Sequence, residues 1–274
     1  MARTAVGPLV RDWRLRRHRS QMDLALDVGV STRHLSFVET GRARPSPELV
    51  LALADHLDVP LRERNVLLLA AGHAPRYEER SLDDPTLAAA RTALQRLLDT
   101  HDPYPGVVVD RTWNVVLANR AAGLLTGGIA PSLLGPPMNV FRVCLHPDGL
   151  AARTRNFPEW AAYLLGQLRR TSVLTGDPAL AALLHEVSSY PDVAALGDWH
   201  RAPDVETPAL LVPVRLDLDG VELSLFTTIT TFGTPQDITL DEVSVELFFP
   251  ADDESEQVLR RAASRLPAGP ADHP

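Results

Sequence analysis

Between residues 21 and 40 the chain accepts only a narrow range of backbone arrangements. Ala25 is followed four positions later by Gly29, and Leu24, Val28, Val30, Leu35 and Val38 stand around them at helical spacing. Two helices cross closely only where a small residue sits at the contact, and the tight turn between them calls for glycine. The apolar positions must then face a common core. Helix punctuation agrees. Ser20 with Asp23 opens the first helix of the pair, Ser31 opens the second, and Gly41 follows its end near Thr40. Residues 9–17 read as a helix ahead of the pair. Ser46-Pro47 opens another running to 57, and Pro60 or Leu61 opens a last one ending near 71, with Gly72 after it. Five short helices in so short a stretch predict a compact all-α domain over residues 1–74.

Charge divides the chain at about the same place. The formal net charge is −8, yet residues 1–76 balance to +4 and the remainder to −12. A basic module joined to an acidic one fits a polyanion-binding head on a different kind of body. A length of 274 residues allows two ordinary domains. No apolar run approaches the roughly 20 residues that a spanning helix needs, so no membrane partner is expected. The first residues lack a signal-peptide core. Cys144 is the single cysteine, which excludes an internal disulfide and a multi-cysteine zinc site. A cytoplasmic protein without metal or cofactor is the expectation.

Residues 75–84 are polar and without periodicity, and read as a linker. Asp84-Pro85 then starts a helix carrying Leu87, Ala90, Leu94, Leu97 and Leu98 on one face. Strand-like runs follow at 107–109 and 113–118, a short helix from Asn119, and longer helices at 158–170 and 178–190. Strands return at 210–218, 221–232 and 240–249, with Asp219-Gly220 as a hairpin turn. This order predicts an α+β domain with a mainly antiparallel sheet over 85–252. A helix and tail over 253–274 follow, disordered toward the end.

The segment 21–40, with Glu39, Gly41, Pro45 and Leu49, resembles the repressor/Cro-like helix-turn-helix family often called xenobiotic response element regulators. In that family the second helix of the pair enters the major groove. The resemblance therefore implies double-stranded DNA as a partner, with residues 31–40 as the reading helix. Thr32, Arg33, Ser36 and Phe37 would point outward, and His34 would sit at the rim. Arg33 suits the bidentate bond to guanine, while Thr32 and Phe37 suit contact with thymine methyls. Gln21 at a helix start, and Arg42 and Arg44 beyond the reading helix, are candidate phosphate contacts. Arg11, Arg14, Arg16 and Arg17 have two readings, DNA contact or a solvated helix face. This family usually binds as a homodimer.

A longer stretch is similar to one branch, the MmyB-like regulators. The residues that carry this are 33–74, Asn139-Val-Phe-Arg, His146-Pro-Asp-Gly-Leu, Thr230-Thr-Phe-Gly-Thr-Pro-Gln-Asp and Phe248-Phe-Pro-Ala-Asp. The resemblance implies a PAS-like C-terminal domain that binds a hydrophobic effector, often fatty-acid-like. From the residues themselves, Val115 and Leu117, Val214, Leu225, Thr227 and Ile229 alternate with polar neighbours and give strands with one apolar face. Trp160, Tyr163 and Leu164 lie at helical spacing on residues 158–170. Together they would line a chamber between sheet and helix; the same alternation also describes an ordinary packed core. The opposite row, Glu222 to Phe232, is apolar enough at its end to need a cover: the helical domain, a second subunit or a loop.

Catalytic patterns are incomplete. His185-Glu186 begins a zinc-protease motif, but Ser189 stands where the second histidine belongs. No nucleophile elbow, phosphate loop or dinucleotide glycine triplet is present. The expectation is a regulator and not an enzyme. A C-terminal module for protein interaction or dimerisation, with no small ligand, is the alternative.

Overall fold

Three serines set the frame of the N-terminal unit. Ser20, Ser31 and Ser46 each accept a hydrogen bond from the backbone N–H three residues on, and thereby start three successive helices. In the computed structural model, residues 5–197, 211–218 and 220–265 are described. The helices are α1 (Val6–Arg16), α2 (Gln21–Asp27), α3 (Thr32–Glu39), α4 (Pro47–His56) and α5 (Leu61–Ala70). Val10, Trp13, Leu24, Ala25, Leu35, Leu53 and Leu67 form one buried cluster. Gly29 turns between α2 and α3 at φ +70°. The five helices match the expected all-α domain, although α1 starts three residues earlier than the sequence suggests.

The chain divides into two compact units. The first comprises residues up to Ser81 together with Val173–Thr175 and Gly233–Asp241. The expected linker is tied down within this unit. Asn65 accepts from the N–H groups of Arg76 and Tyr77, and Asp237 pairs with Arg80 at 2.9 Å. Asp241 accepts from the N–H of Leu61 at 3.0 Å, at the start of α5.

Among the described residues the second unit has five strands: β1 (Gly106–Val109), β2 (Val115–Ala118), β3 (Val214–Leu218), β4 (Val221–Thr231) and β5 (Ser244–Pro250). They pair antiparallel throughout, in the order β2-β1-β5-β4-β3. This is the α+β unit with an antiparallel sheet that the sequence predicts. The inner strand β1 reads Gly-Val-Val-Val because both of its faces are covered. On one side lies α6 (Ala88–His101), whose Leu94 and Leu98 pack on Val108, Val243 and Val245. The other face meets the main core with Phe141, Trp160, Leu164 and Leu168.

The main core draws on α8 (Val140–Leu145), α9 (Phe157–Thr175) and α10 (Pro178–Ser188), with two short helices, α7 (Pro131–Leu134) and α11 (Pro191–Ala194), beside them. After β4 come α12 (Ile238–Glu242), β5 and α13 (Asp253–Ala263). The strand expected from residue 240 therefore begins at 244, because 238–242 close a helical turn started by Asp237, which accepts from Thr239 N–H. Of the row opposite the expected chamber, Ser224 is buried and Phe226 and Phe232 are half-buried, while Glu222, Thr228 and Thr230 are exposed. Phe232 packs in the α6 cluster, and Ser224 N–H donates to Ser255 of α13. Leu210, Asp219 and the expected tail from 266 lie outside the described residues.

Candidate DNA-reading surface and apolar chamber

On α3 the buried residues are Leu35, Val38 and Glu39; Thr32 and Arg33 are exposed, and His34, Ser36 and Phe37 are half-buried. The structure thus puts the expected outward residues on one side. Phe37 gathers two cations: the Arg33 guanidinium carbon lies 5.3 Å from its ring centre and that of Arg42 lies 5.8 Å away. Such cation–ring contacts hold flexible arginines near one place. Sequence reasoning does not reveal this pairing, because Arg42 lies beyond the helix.

Behind this face stands a buried ion pair. Arg14 of α1 donates to both carboxylate oxygens of Glu39, at 2.7 and 3.0 Å, and both residues are under 9% exposed. The Gln21 amide adds a third donor to Glu39 at 2.7 Å. Gln21 therefore holds α3, and its amide is already engaged. Arg44 is likewise committed, donating to the carbonyls of Ala71 and Gly72 at the end of α5, both at 2.7 Å. Arg17 does the same for Leu57 and Asp58 after α4. Arg14 and Arg17 are thus structural members of the arginine run. Gly7 lets α1 approach α3: a Cβ there would fall 2.5 Å from the carbonyl oxygens of Val38 and Glu39.

The second unit contains an apolar chamber of about 290 Å³, near the lower end of the range of about 300–1,000 Å³ typical of small-molecule sites. Its walls include Val107 of β1, Val115 of β2, Met138, Val143 and Cys144 of and before α8, and Phe248 of β5. Asn139 positions that wall. Its side chain accepts from the N–H groups of Phe141 and Arg142, capping α8, and donates to Thr112 and Asn114 of the β1–β2 hairpin. Gly149 then lets the chain pass close to α8, since a Cβ at that position would lie 2.2 Å from the Val143 carbonyl oxygen. Leu150 completes the wall.

The nine residues expected to line a chamber fall into different environments. Val115 is in the wall. Trp160, Leu164, Val214 and Leu225 are sunk in the main core, and half-buried Tyr163 stacks on Trp160 at 5.2 Å. Leu117 faces α6 instead, because a register irregularity between Val108 and Val109 makes Leu117 pair with Val108 and Val115 with Val109. Thr227 is half-buried on β4. Ile229 is 43% exposed, since β3 pairs with β4 only as far as Leu225.

Polar groups near the chamber are few. Asn119 lines it, but its amide is used fully on Gly106, Ala122, Leu98 and Tyr104. Burial, with the nearby Glu246 carboxyl, pushes the Cys144 thiol up to about 12, so it stays protonated. Glu246 is 6% exposed, and its Oε2 has no hydrogen-bond partner among the described residues. Burial raises its pKa to about 7, and a hydrogen bond from Thr227 offsets part of that rise.

Comparison with known proteins agrees with both halves. Residues 10–64 match the helix-turn-helix family, and residues 90–262 match the family described as MmyB-like transcription regulator ligand binding domain. Over 80 residues the chain is 34% identical to Transcriptional regulator ClgR of Mycobacterium tuberculosis, in strains CDC 1551 / Oshkosh and H37Rv alike. That match covers 29% of this chain and 69% of the relative. With the second family's match spanning well over half of its length, the chain belongs to the MmyB-like transcription regulators, DNA-binding helix-turn-helix proteins with a ligand-binding-type domain.

Proposed function

We propose that the protein is an effector-responsive regulator of the cytoplasm that binds its operator as a homodimer. Arg33 reads a guanine, Thr32, Ser36 and Phe37 meet neighbouring base edges, and Arg42 neutralises a phosphate. His34 stands at the rim, and Gln21 and Arg44 support the surface from within. One reading helix covers few base pairs, so two-fold symmetry would place half-sites about 34–36 Å apart or at a multiple of that spacing. The effector is a hydrophobic molecule, fatty-acid-like in its aliphatic body, held in the chamber. The apolar chamber in a ligand-binding-type domain is the observation that carries this reading.

Effector and operator binding are coupled in this proposal. A ligand shifts DNA affinity only through a difference in its affinity for two arrangements. Typical coupling is about 5–150-fold and is reciprocal. The test is operator selection from random DNA, followed by operator affinity with and without a cell lipid extract and native mass spectrometry of the purified protein. Arg33→Ala is expected to cost about 1–3 kcal/mol at one base position and to relax selectivity there. An unchanged selected motif would refute the reading face. A domain that carries no copurified small molecule and gives unchanged DNA affinity with extract would favour a protein-interaction module instead.

A further inference from the structure

The chamber has a body without a head. Its walls are mainly apolar, and their polar members are already engaged: the Asn119 amide is fully bonded, Arg120 pairs with Asp102, and the Thr126 hydroxyl donates to the Gly123 carbonyl. The Cys144 thiol is protonated. An aliphatic molecule would enter without meeting any free group that fixes its direction. Small-molecule sites ordinarily add a few placed polar groups for that purpose.

Glu246 stands beside three of the wall residues. In the sheet it pairs directly with Val107 of β1, and on β5 it is two residues from Phe248, so all three side chains share the inner face. Cys144 of α8 lies close enough to feel its charge, as does Tyr163 of α9. On the remaining side, β4 presents Ile229 opposite it and Thr227. No arginine or histidine is among these neighbours. A carboxyl buried in such company with an unpartnered oxygen is costly to the fold, since an unmet buried polar group loses its hydration without replacement. Such a group is retained where something else supplies the partner.

We infer that Glu246 receives the head of the effector, and that this head donates a hydrogen bond: an aliphatic alcohol or amine, with its body in the chamber. The inference rests on the chamber reading above and sharpens its ligand class. The volume of 290 Å³ equals roughly ten water-sized groups at about 30 Å³ each, which suits a chain of medium length. An ionised carboxylate head would set two acceptors against each other, and one of them would have to take up a proton.

Decan-1-ol and decanoate are the probes, with affinities measured by calorimetry on the full chain at pH 8. Three variants accompany the wild type. Glu246→Leu removes the acceptor and leaves no buried charge, Glu246→Gln keeps an acceptor, and Val143→Phe fills the chamber. Melting curves confirm that each is folded. Decan-1-ol is expected to bind the wild type at least about tenfold more tightly than decanoate. Decan-1-ol binding should persist in Glu246→Gln, whose amide NH2 also admits decanoate and so narrows the preference, and should fall about tenfold in Glu246→Leu, the size of one unmet buried hydrogen bond.

Loss of both probes in Val143→Phe, with neither sensitive to Glu246, would keep the chamber and overturn the head. Tighter binding of decanoate would also overturn it, and would direct attention to Arg153, whose Nε and Nη2 are buried without a partner among the described residues. Failure of both probes to bind, or binding unaffected by Val143→Phe, would overturn the chamber reading itself.

Discussion

Arg42 and Arg44 are two residues apart, equally basic, and engaged differently. Arg44 closes the end of α5 through the Ala71 and Gly72 carbonyls, while Arg42 stays exposed beside Phe37. Arg42→Ala is therefore expected to reduce the slope of log affinity against log salt by about 1, the signature of one phosphate contact. The melting temperature should not change. Arg44→Ala should do the reverse, costing about 1–3 kcal/mol in stability through lost hydrogen bonds to two carbonyls, with the salt slope intact. Paired salt titrations and melts of the two variants decide it. The sequence places both arginines past the second helix of the pair and has no means to separate them. What separates them is the end of α5, which only the fold brings near. Gln21 teaches the same lesson. Its place at a helix start is legible, but its bond to Glu39 depends on how α2 and α3 cross.

Among elements, the serine-capped helices are the most legible, because a cap and its N–H lie three residues apart in the chain itself. Gly7 is not legible, since nothing local demands glycine there. Its reason is the carbonyl row of α3 passing against α1. Gly7→Ala is expected to push the two helices apart, costing about 1–3 kcal/mol as overpacking does. DNA affinity should weaken even at temperatures where the variant is fully folded; melting and operator titration of the same sample would show both. In the second unit the apolar alternation locates the strands, yet misplaces residues within two of them. One extra residue in β2 sends Leu117 to α6, and β3, whose first residue Val214 pairs with Leu225, does not reach Ile229. Period two assigns faces only while the ladder stays regular and both neighbours are present. The signals for the chamber lie in the Asn139 and His146 motifs. In the sequence these read as family marks, because a cap on α8 and a close glycine passage gain meaning only once the fold joins them.

Over the whole molecule, the buried Glu246 makes stability depend on acidity. Its pKa rises from an ordinary 4.5 to about 7 on folding, so the folded state holds a proton that the unfolded state has released between those values. Stability is then greatest at or below about pH 4.5 as far as this group is concerned. It declines as pH rises toward 7 and is level beyond, by about 3 kcal/mol in all. Glu246→Gln should remove that decline, measured as melting temperature of the second unit from pH 5 to 8. A wild type and variant with parallel pH curves would contradict the assigned burial.

The segment Gly233–Asp241 has a consequence for how such regulators are recombined. Pro60 offers no side-chain cap to α5, and the carboxylate that takes the Leu61 N–H comes from Asp241, 180 residues further along. Asp241→Ala should cost about 1 kcal/mol, as loss of a helix cap does, with Asp241→Asn nearly neutral. The loss should appear in the melting of the N-terminal helices. A hybrid made by splicing residues 1–81 to a foreign sensor would therefore inherit an uncapped helix and an Arg80 deprived of its Asp237 carboxylate. It would need residues 233–241 transplanted with it. In this chain a reader cannot be exchanged at a single junction, so new specificities would arise more readily by changing residues on α3 than by shuffling domains.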